Sequence, residues 1–297
     1  MANRRVLVKR RKAVRNIRKI TRTMQLIATA RFQAAFTRMV ATRPYSDKLA
    51  EMVADLSRAA GHGQESEHPL MRPHDDAKRS ALVVITSNRG LCGGYNAHVL
   101  RTAIAHRERS TDTDAAVDVS MVGKKGISYF RFLRREMAER ITEFGDDPRF
   151  DQVEPLANRL IDRFLGGEIA RVDVVYMKFH SAGRQAPEVV QLLPLEAPAE
   201  QEGEAAEPPR SRIEYEFSPE PQALLDDLLP ASVRMRLFQC FTDAVVSEQV
   251  ARMVAMKAAT DAADDMIKTL TRQYNRARQT HITMELLDII GGANALA

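Results

Sequence analysis

The chain has 297 residues, with 44 Lys and Arg against 39 Asp and Glu, and a formal net charge of +5 at pH 7. That length, with 44% apolar residues, excludes disorder throughout and allows one large domain or two small ones. No apolar run reaches the roughly 18 residues of a membrane span, and the N-terminus lacks the apolar stretch of a signal peptide, so the sequence reads as soluble and intracellular.

The basicity is local. Residues 1–43 hold 13 Lys or Arg and no Asp or Glu, so the remainder sums to −8, being +5 less 13. Residues Asn3 to Arg43 also lack Gly and Pro. Apolar positions Val6, Ala13, Ile17, Ile20, Met24 and Ile27 alternate by fours and threes, which predicts a long helix with a coiled-coil seam. The seam then drifts to Ala28, Phe32, Ala35 and Met39, as a straight helix drifts against a strict heptad. Pro44 is expected to kink or break it, with Leu49, Val53 and Leu56 continuing an apolar face before Gly61. Such a basic helix also suits a transit peptide or a phosphate-binding surface. A discarded leader has no need of a forty-residue seam, and nucleic-acid grooves interleave more aromatics than Phe32 and Phe36.

Residues 61–79 read as a linker, rich in Pro, His and Asp from Glu65 on. Ser80 to Thr86 is a buried-type strand, followed by Gly90, Gly93 and Gly94 and a helix from Tyr95 to about Arg107. Further elements are a strand Val117–Val122, a helix Gly126–Glu136, a weak strand near Ile141, a helix Glu154–Leu165, and strands Val172–Phe179 and Val189–Leu195. Strands alternating with helices across 80–195 predict a doubly wound, mostly parallel sheet. The glycines do not form G-x-G-x-x-G, and Gly123-Lys124 lacks the upstream Gly of a phosphate loop. Two cysteines, Cys92 and Cys240, and seven His show no metal-ligand spacing, and no nucleophile elbow or acid–base pair is recognisable. Catalysis, cofactor binding and metal binding are not expected.

Residues 196–217 form an Ala-, Glu- and Pro-rich loop ending in an alternating, edge-type strand, Arg212 to Phe217. Ser218-Pro219 opens a short helix expected to kink at Pro230. Ala231 to Ile290 then contains no Gly or Pro over 60 residues, enough for a helix of roughly 90 Å. Its seam is placed at Val233, Leu237, Cys240 and Ala244, then Ala251, Val254 and Ala258, then Ile267, Leu270, Tyr274, Ala277 and Met284. Gly291-Gly292 is the expected stop. Two long helices at the chain ends, 1–60 and 218–297, predict an antiparallel coiled coil attached to an α/β domain.

Several blocks resemble the gamma subunit of F-type ATP synthase. They are Ile20-Thr21-Arg22-Thr23-Met24, Arg43-Pro44-Tyr45, Arg89-Gly90-Leu91-Cys92-Gly93-Gly94, Arg252 to Asp261, and Tyr274 to Gln279 through Ile282-Thr283 and Gly291-Gly292. The resemblance implies a non-catalytic central stalk. Its paired helices would rotate inside a ring of alpha and beta subunits and couple ion flow through the membrane c-ring to ATP synthesis at beta. It carries contacts with beta over to Met24, Arg252, Arg278, Gln279 and Thr283, and places a ring contact near Tyr215. Alpha, beta, epsilon and the c-ring are the implied partners, with no nucleic acid and no membrane insertion, at the cytoplasmic face of the bacterial inner membrane. A basic coiled-coil protein that binds nucleic acid is the alternative.

Overall fold

A computed structural model describes residues 4–59, 68–72, 74, 77, 79–111, 116–195 and 221–296. Along the chain these form α1 (Arg4–Ala59), β1 (Arg79–Ile85), α2 (Tyr95–Thr111), β2 (Ala116–Val122), α3 (Lys124–Phe132) and β3 (Glu139–Ile141). Then come α4 (Phe150–Leu165), β4 (Arg171–Ser181), β5 (Arg184–Leu193) and α5 (Pro221–Leu296). The expected edge strand at Arg212 to Phe217 and the Ser218-Pro219 cap lie outside the described residues. Two compact units emerge, one of residues 1–31, 91–93 and 250–297, the other of residues 32–90 and 94–249.

The second unit is built on a five-stranded sheet of order β3-β2-β1-β4-β5. β1 pairs in parallel with β2 and β4, and β2 with β3, while β5 runs antiparallel to β4. A two-residue link at Ala182-Gly183 permits only that antiparallel return. β5 is an edge strand, which is where a strand tolerates Pro187. Along β1, Ala81, Val83 and Ile85 belong to a core shared with α4 and the first half of α5, whereas the alternate Leu82 and Val84 are buried toward the face that α2 covers. The winding is thus double, reversing direction between β1 and β4.

Helix boundaries show where local signals yield to packing. α1 runs through Pro44 and α5 through Pro230, so neither proline ends its helix. A helix-interior Pro costs about 3 kcal/mol. Beyond Pro44 the helix buries Leu49, Val53 and Leu56, and around Pro230 it buries Leu225, Leu229 and Val233, burial large enough to offset that cost. α4 begins four residues before the expected Glu154, where Arg149 N donates to Gln152 Oε1 at 3.1 Å across the first turn. α3 stops at Phe132 because Arg134 takes a left-handed backbone, φ 53°, and Arg135 N then bonds back to Phe130 O at 3.0 Å. α5 does not stop at Gly291-Gly292 but continues to Leu296. A helical Gly costs only about 1 kcal/mol, too little to force a stop.

Within the first unit the chain ends pair antiparallel. Thr260 Oγ1 donates to Thr21 Oγ1 at 2.8 Å, Arg18 Nε meets Asp264 Oδ1 at 2.7 Å, and the guanidinium of Arg11 lies 4.9 Å from the Tyr274 ring centroid. The buried stripe on α1 is Leu7 and Ala28, with Val14 and Thr21 half-buried between them at sevenfold spacing. On α5 it is Met256, Thr260, Ala263 and Leu270, with Ile267 and Tyr274 half-buried. The first part of the expected α1 seam, Val6 to Ile27, is therefore displaced by one residue, whereas its continuation at Ala28, Ala35 and Met39 is buried as expected. Ile17, Ile20 and Ile27 lie outside the pair, at 53%, 59% and 48% exposure. Val254 and Ala258 are likewise exposed, and Ala251 and Ala255 face the Leu91–Gly93 turn.

Candidate subunit interfaces

A doubly wound sheet ordinarily binds ligands beyond the carboxyl ends of its strands, where the winding reverses. Here that crevice is occupied by the protein itself. Phe241 of α5, 2% exposed, packs at a tilt against Phe144 with ring centroids 4.6 Å apart. The small hollow that remains is lined by Ile85, Thr86, Asn88, Ala244 and Val245.

The amino end of α3 is no anion site either, because its free amides are already bonded. Lys124 N donates to Asn88 Oδ1 at 3.1 Å, Lys125 N to Ser87 O at 3.1 Å and Gly126 N to Thr86 Oγ1 at 3.0 Å. Gly123 makes this close approach possible: it has φ 95°, and a side chain there would run into the Thr86 backbone. The Gly123 turn thus fastens β2 to α3 and leaves no phosphate cradle at that helix end. Among the described residues no group of three His, Cys, Asp or Glu is placed to hold a metal ion.

The helical unit presents the opposite chemistry. Its internal seam is narrow and partly polar, holding the Thr21–Thr260 and Arg18–Asp264 contacts, while large apolar side chains face outward. On α1 these are Val6, Ile17, Ile20, Leu26 and Ile27. On α5, residues 278–291 are all exposed, including Leu286, Leu287 and Ile289 at 55%, 60% and 73%. Apolar faces of this extent mark interaction surfaces.

The residues singled out from the sequence fall into three settings. Met24 is half-buried on α1, on the flank between seam and outer face. Arg278, Gln279 and Thr283 are exposed on α5, with Thr283 Oγ1 donating to Gln279 O at 3.0 Å. Arg252 is only 6% exposed. Tyr215 lies outside the described residues. Sequence reasoning missed the polar seam pair Thr21 and Thr260 and the ion pair of Arg18 with Asp264. The sevenfold spacing Leu7, Val14, Thr21, Ala28 and Ala35 is the signal that would have found the stripe.

Paired helices that carry large apolar side chains on their outside, and an α/β unit whose crevice is filled by its own side chains, are the features of a subunit built for protein–protein contact. A family model described as ATP synthase matches residues 3–296. The ATP synthase gamma chain of Rhodopirellula baltica is 44% identical over 297 residues, covering 100% of this chain and 99% of that one. The gamma chain of a Dehalococcoides mccartyi strain is 41% identical over 298 residues, covering 100% of both. Among solved structures, a chain of the Euglena gracilis mitochondrial ATP synthase OSCP/F1/c-ring assembly shares the fold. Its TM-score is 0.66 at 17% identity, over 99% of this chain and 94% of that one. A chain from the Tetrahymena thermophila mitochondrial ATP synthase central stalk and c-ring gives 0.56 at 20% identity, over 81% and 99%.

The chain belongs to the ATP synthase gamma-chain family. It is a non-catalytic, central-stalk subunit, and nothing in these relationships supports the nucleic-acid alternative.

Proposed function

We propose that the paired helices turn inside a ring of alpha and beta subunits and that their outward apolar faces bear on that ring. One observation carries the reading. The helical unit keeps its most apolar stripe of α1, through Ile17, Ile20 and Ile27, out of its own seam. Contacts made by dispersion and burial vary little with angle, whereas each charge-assisted hydrogen bond on a rotor is broken at every step at about 1.5 to 3 kcal/mol. The tip of α5 fits that demand, since its sequence from Ile289 to Ala297 carries no charge.

Directional contacts would then be few. Arg278, Gln279 and Thr283 supply exposed donors and acceptors to beta. Arg252 reaches a beta loop only if its buried guanidinium swings outward in some rotor positions, and Met24 flanks the sliding face. The basic exterior of α1 meets acidic surface on beta, lowering barriers between positions without a fixed lock. The α/β unit, with Tyr215 beyond its last strand in sequence, faces epsilon and the c-ring. No described helix is long and apolar enough to cross a membrane, which suits a peripheral subunit held at the cytoplasmic face of the bacterial inner membrane through the complex.

Co-expression with alpha and beta tests this reading. Changing Ala293 and Ala295 together to Glu strands carboxylates in an apolar sleeve and is expected to reduce assembly or ATP hydrolysis. Met24→Lys is expected to lower ion pumping per ATP hydrolysed. Unchanged assembly, hydrolysis and pumping in both variants would overturn the reading.

A further inference from the structure

Three elements of the α/β unit converge on one side of α5. From α1 come Ala35 and Met39, which pack with Val246, while Phe32 meets Phe179 of β4 at a tilt and Phe36 meets it edge-on, with centroids 6.2 and 5.8 Å apart. From the β4–β5 hairpin come Tyr176, 4% exposed, and Lys178, whose Nζ lies 2.9 Å from Glu188 Oε1. In the middle of this apolar junction α5 places a carboxylate, Asp243, at 8% exposure. One turn further on, the Ser247 hydroxyl is fully buried and has no hydrogen-bond partner. That hydroxyl therefore does nothing to solvate a charge here.

We propose that Asp243 is a proton-sensitive positioning residue, whose protonation tightens the packing of α1 and the β4–β5 hairpin against α5. The inference concerns the α/β unit alone and stands whether or not the helices rotate in a ring.

The surrounding charges show why the ionised form is poorly held. Burial is the main influence on Asp243 and pushes its carboxyl up to about 6. Lys178 and Arg43 pull the other way and Glu188 adds to the rise. Lys178 already serves Glu188, and Arg43 stands on the exposed side of α1. The remaining titratable neighbours, Tyr176 and Cys240, stay neutral, since burial raises both, Cys240 to about 12, with Arg236 a minor opposing influence on that thiol. No hydrogen bond or ion pair reaches the Asp243 carboxylate among the described residues.

The sign follows from linkage. A carboxyl raised in the folded state above its ordinary 3.8 favours the closed junction increasingly as pH falls from above 6 toward 4. At neutral pH the ionised carboxylate favours openings that let water in. Ordinary paired carboxylates behave the opposite way, so the direction is diagnostic.

Hydrogen–deuterium exchange on the full-length chain tests the proposal. Peptides spanning 238–248 are followed between pH 5 and 7.5 and corrected for the intrinsic exchange rate. The junction's opening equilibrium is expected to rise about tenfold across that range in the wild type. In Asp243→Asn it is expected to stay at the protected, low-pH level throughout. A wild-type profile that is flat or gains protection with pH overturns the proposal without reliance on any variant. So does an Asp243→Asn profile that keeps the wild-type slope.

Discussion

The two units of this molecule spend their apolar residues in opposite directions. In the α/β unit, Phe130, Phe164, Leu192 and Leu229 are at most 1% exposed, and the glycines and polar side chains of the turns are absorbed into strand–helix junctions. In the helical unit the seam holds Thr21, Thr260, Arg18 and Asp264, while Ile17, Ile20 and Ile289 face out. A sheet core stabilises its own chain. A helix pair that turns Ile17, Ile20 and Ile289 outward offers a surface suited to a second protein.

That contrast is broken most forcefully at the core. Phe164→Ala should cost about 3 to 5 kcal/mol in urea unfolding, since it empties a fully enclosed site beneath the sheet. Ile20→Ala should cost the free chain under about 0.5 kcal/mol, because the residue is 59% exposed. The same change should weaken assembly with alpha and beta, so its effect appears only in the complex.

Gly123→Ala comes next. The positive φ alone costs about 1 to 3 kcal/mol, and contact with the Thr86 backbone adds to it, so a clear drop in melting temperature is expected. Nucleotide binding has no part in this prediction, because the neighbouring amides already bond within the protein.

Most of the α/β unit was legible in the sequence because its signals are local. Residues 82–85 are a continuous apolar run, residues 172–177 are apolar but for Asp173, and the glycines that follow β1 announce a turn. What escaped local reading was decided elsewhere. Pro44 and Pro230 sit inside helices because distant core contacts offset their cost. α3 ends at an Arg in the left-handed conformation, a position where sequence patterns look for Gly. The seam of α1 was placed one residue off for a more instructive reason. Periodicity assigns the most apolar stripe to the partner within the chain, whereas here that stripe belongs to the outside and the inner one contains Thr21. An exposed Ile17 is therefore as informative as a buried Leu7. Among the candidate contacts, Arg278, Gln279 and Thr283 stand where a partner can reach them, and the near-complete burial of Arg252 was invisible to spacing alone.

Smaller effects sharpen the comparison. Replacing Thr21 and Thr260 together by Val removes both polar partners at once and keeps their shape, so the change in stability should stay within about 1 kcal/mol. Thr260→Val alone should cost as little, because the half-buried Thr21 hydroxyl keeps its bond to Arg18 O at 3.1 Å. Urea unfolding of the wild type and the two variants reads the outcome.

Asp118 offers a pH test within the α/β unit. Burial opposes its ionisation, but hydrogen bonds from Arg79 at 2.6 Å and Arg163 at 2.7 Å outweigh that and hold the carboxyl below its ordinary value. A depressed carboxyl contributes stability above its unfolded value of 3.8 that is lost as pH falls through the folded one. Asp118→Asn should therefore lower the melting temperature near pH 7, and its difference from the wild type should shrink below pH 4.

The central claim is that the outward apolar faces of α1 and α5 are covered by partner subunits. The most direct measurement is maleimide labelling of Ile20→Cys and Leu286→Cys, in the free chain and in the complex with alpha and beta. The native Cys92 and Cys240 are 2% and 3% exposed, which keeps the background low. If the faces are interfaces, both introduced thiols react rapidly in the free chain and about a hundredfold or more slowly in the complex. Equal labelling rates in the two states would contradict the account.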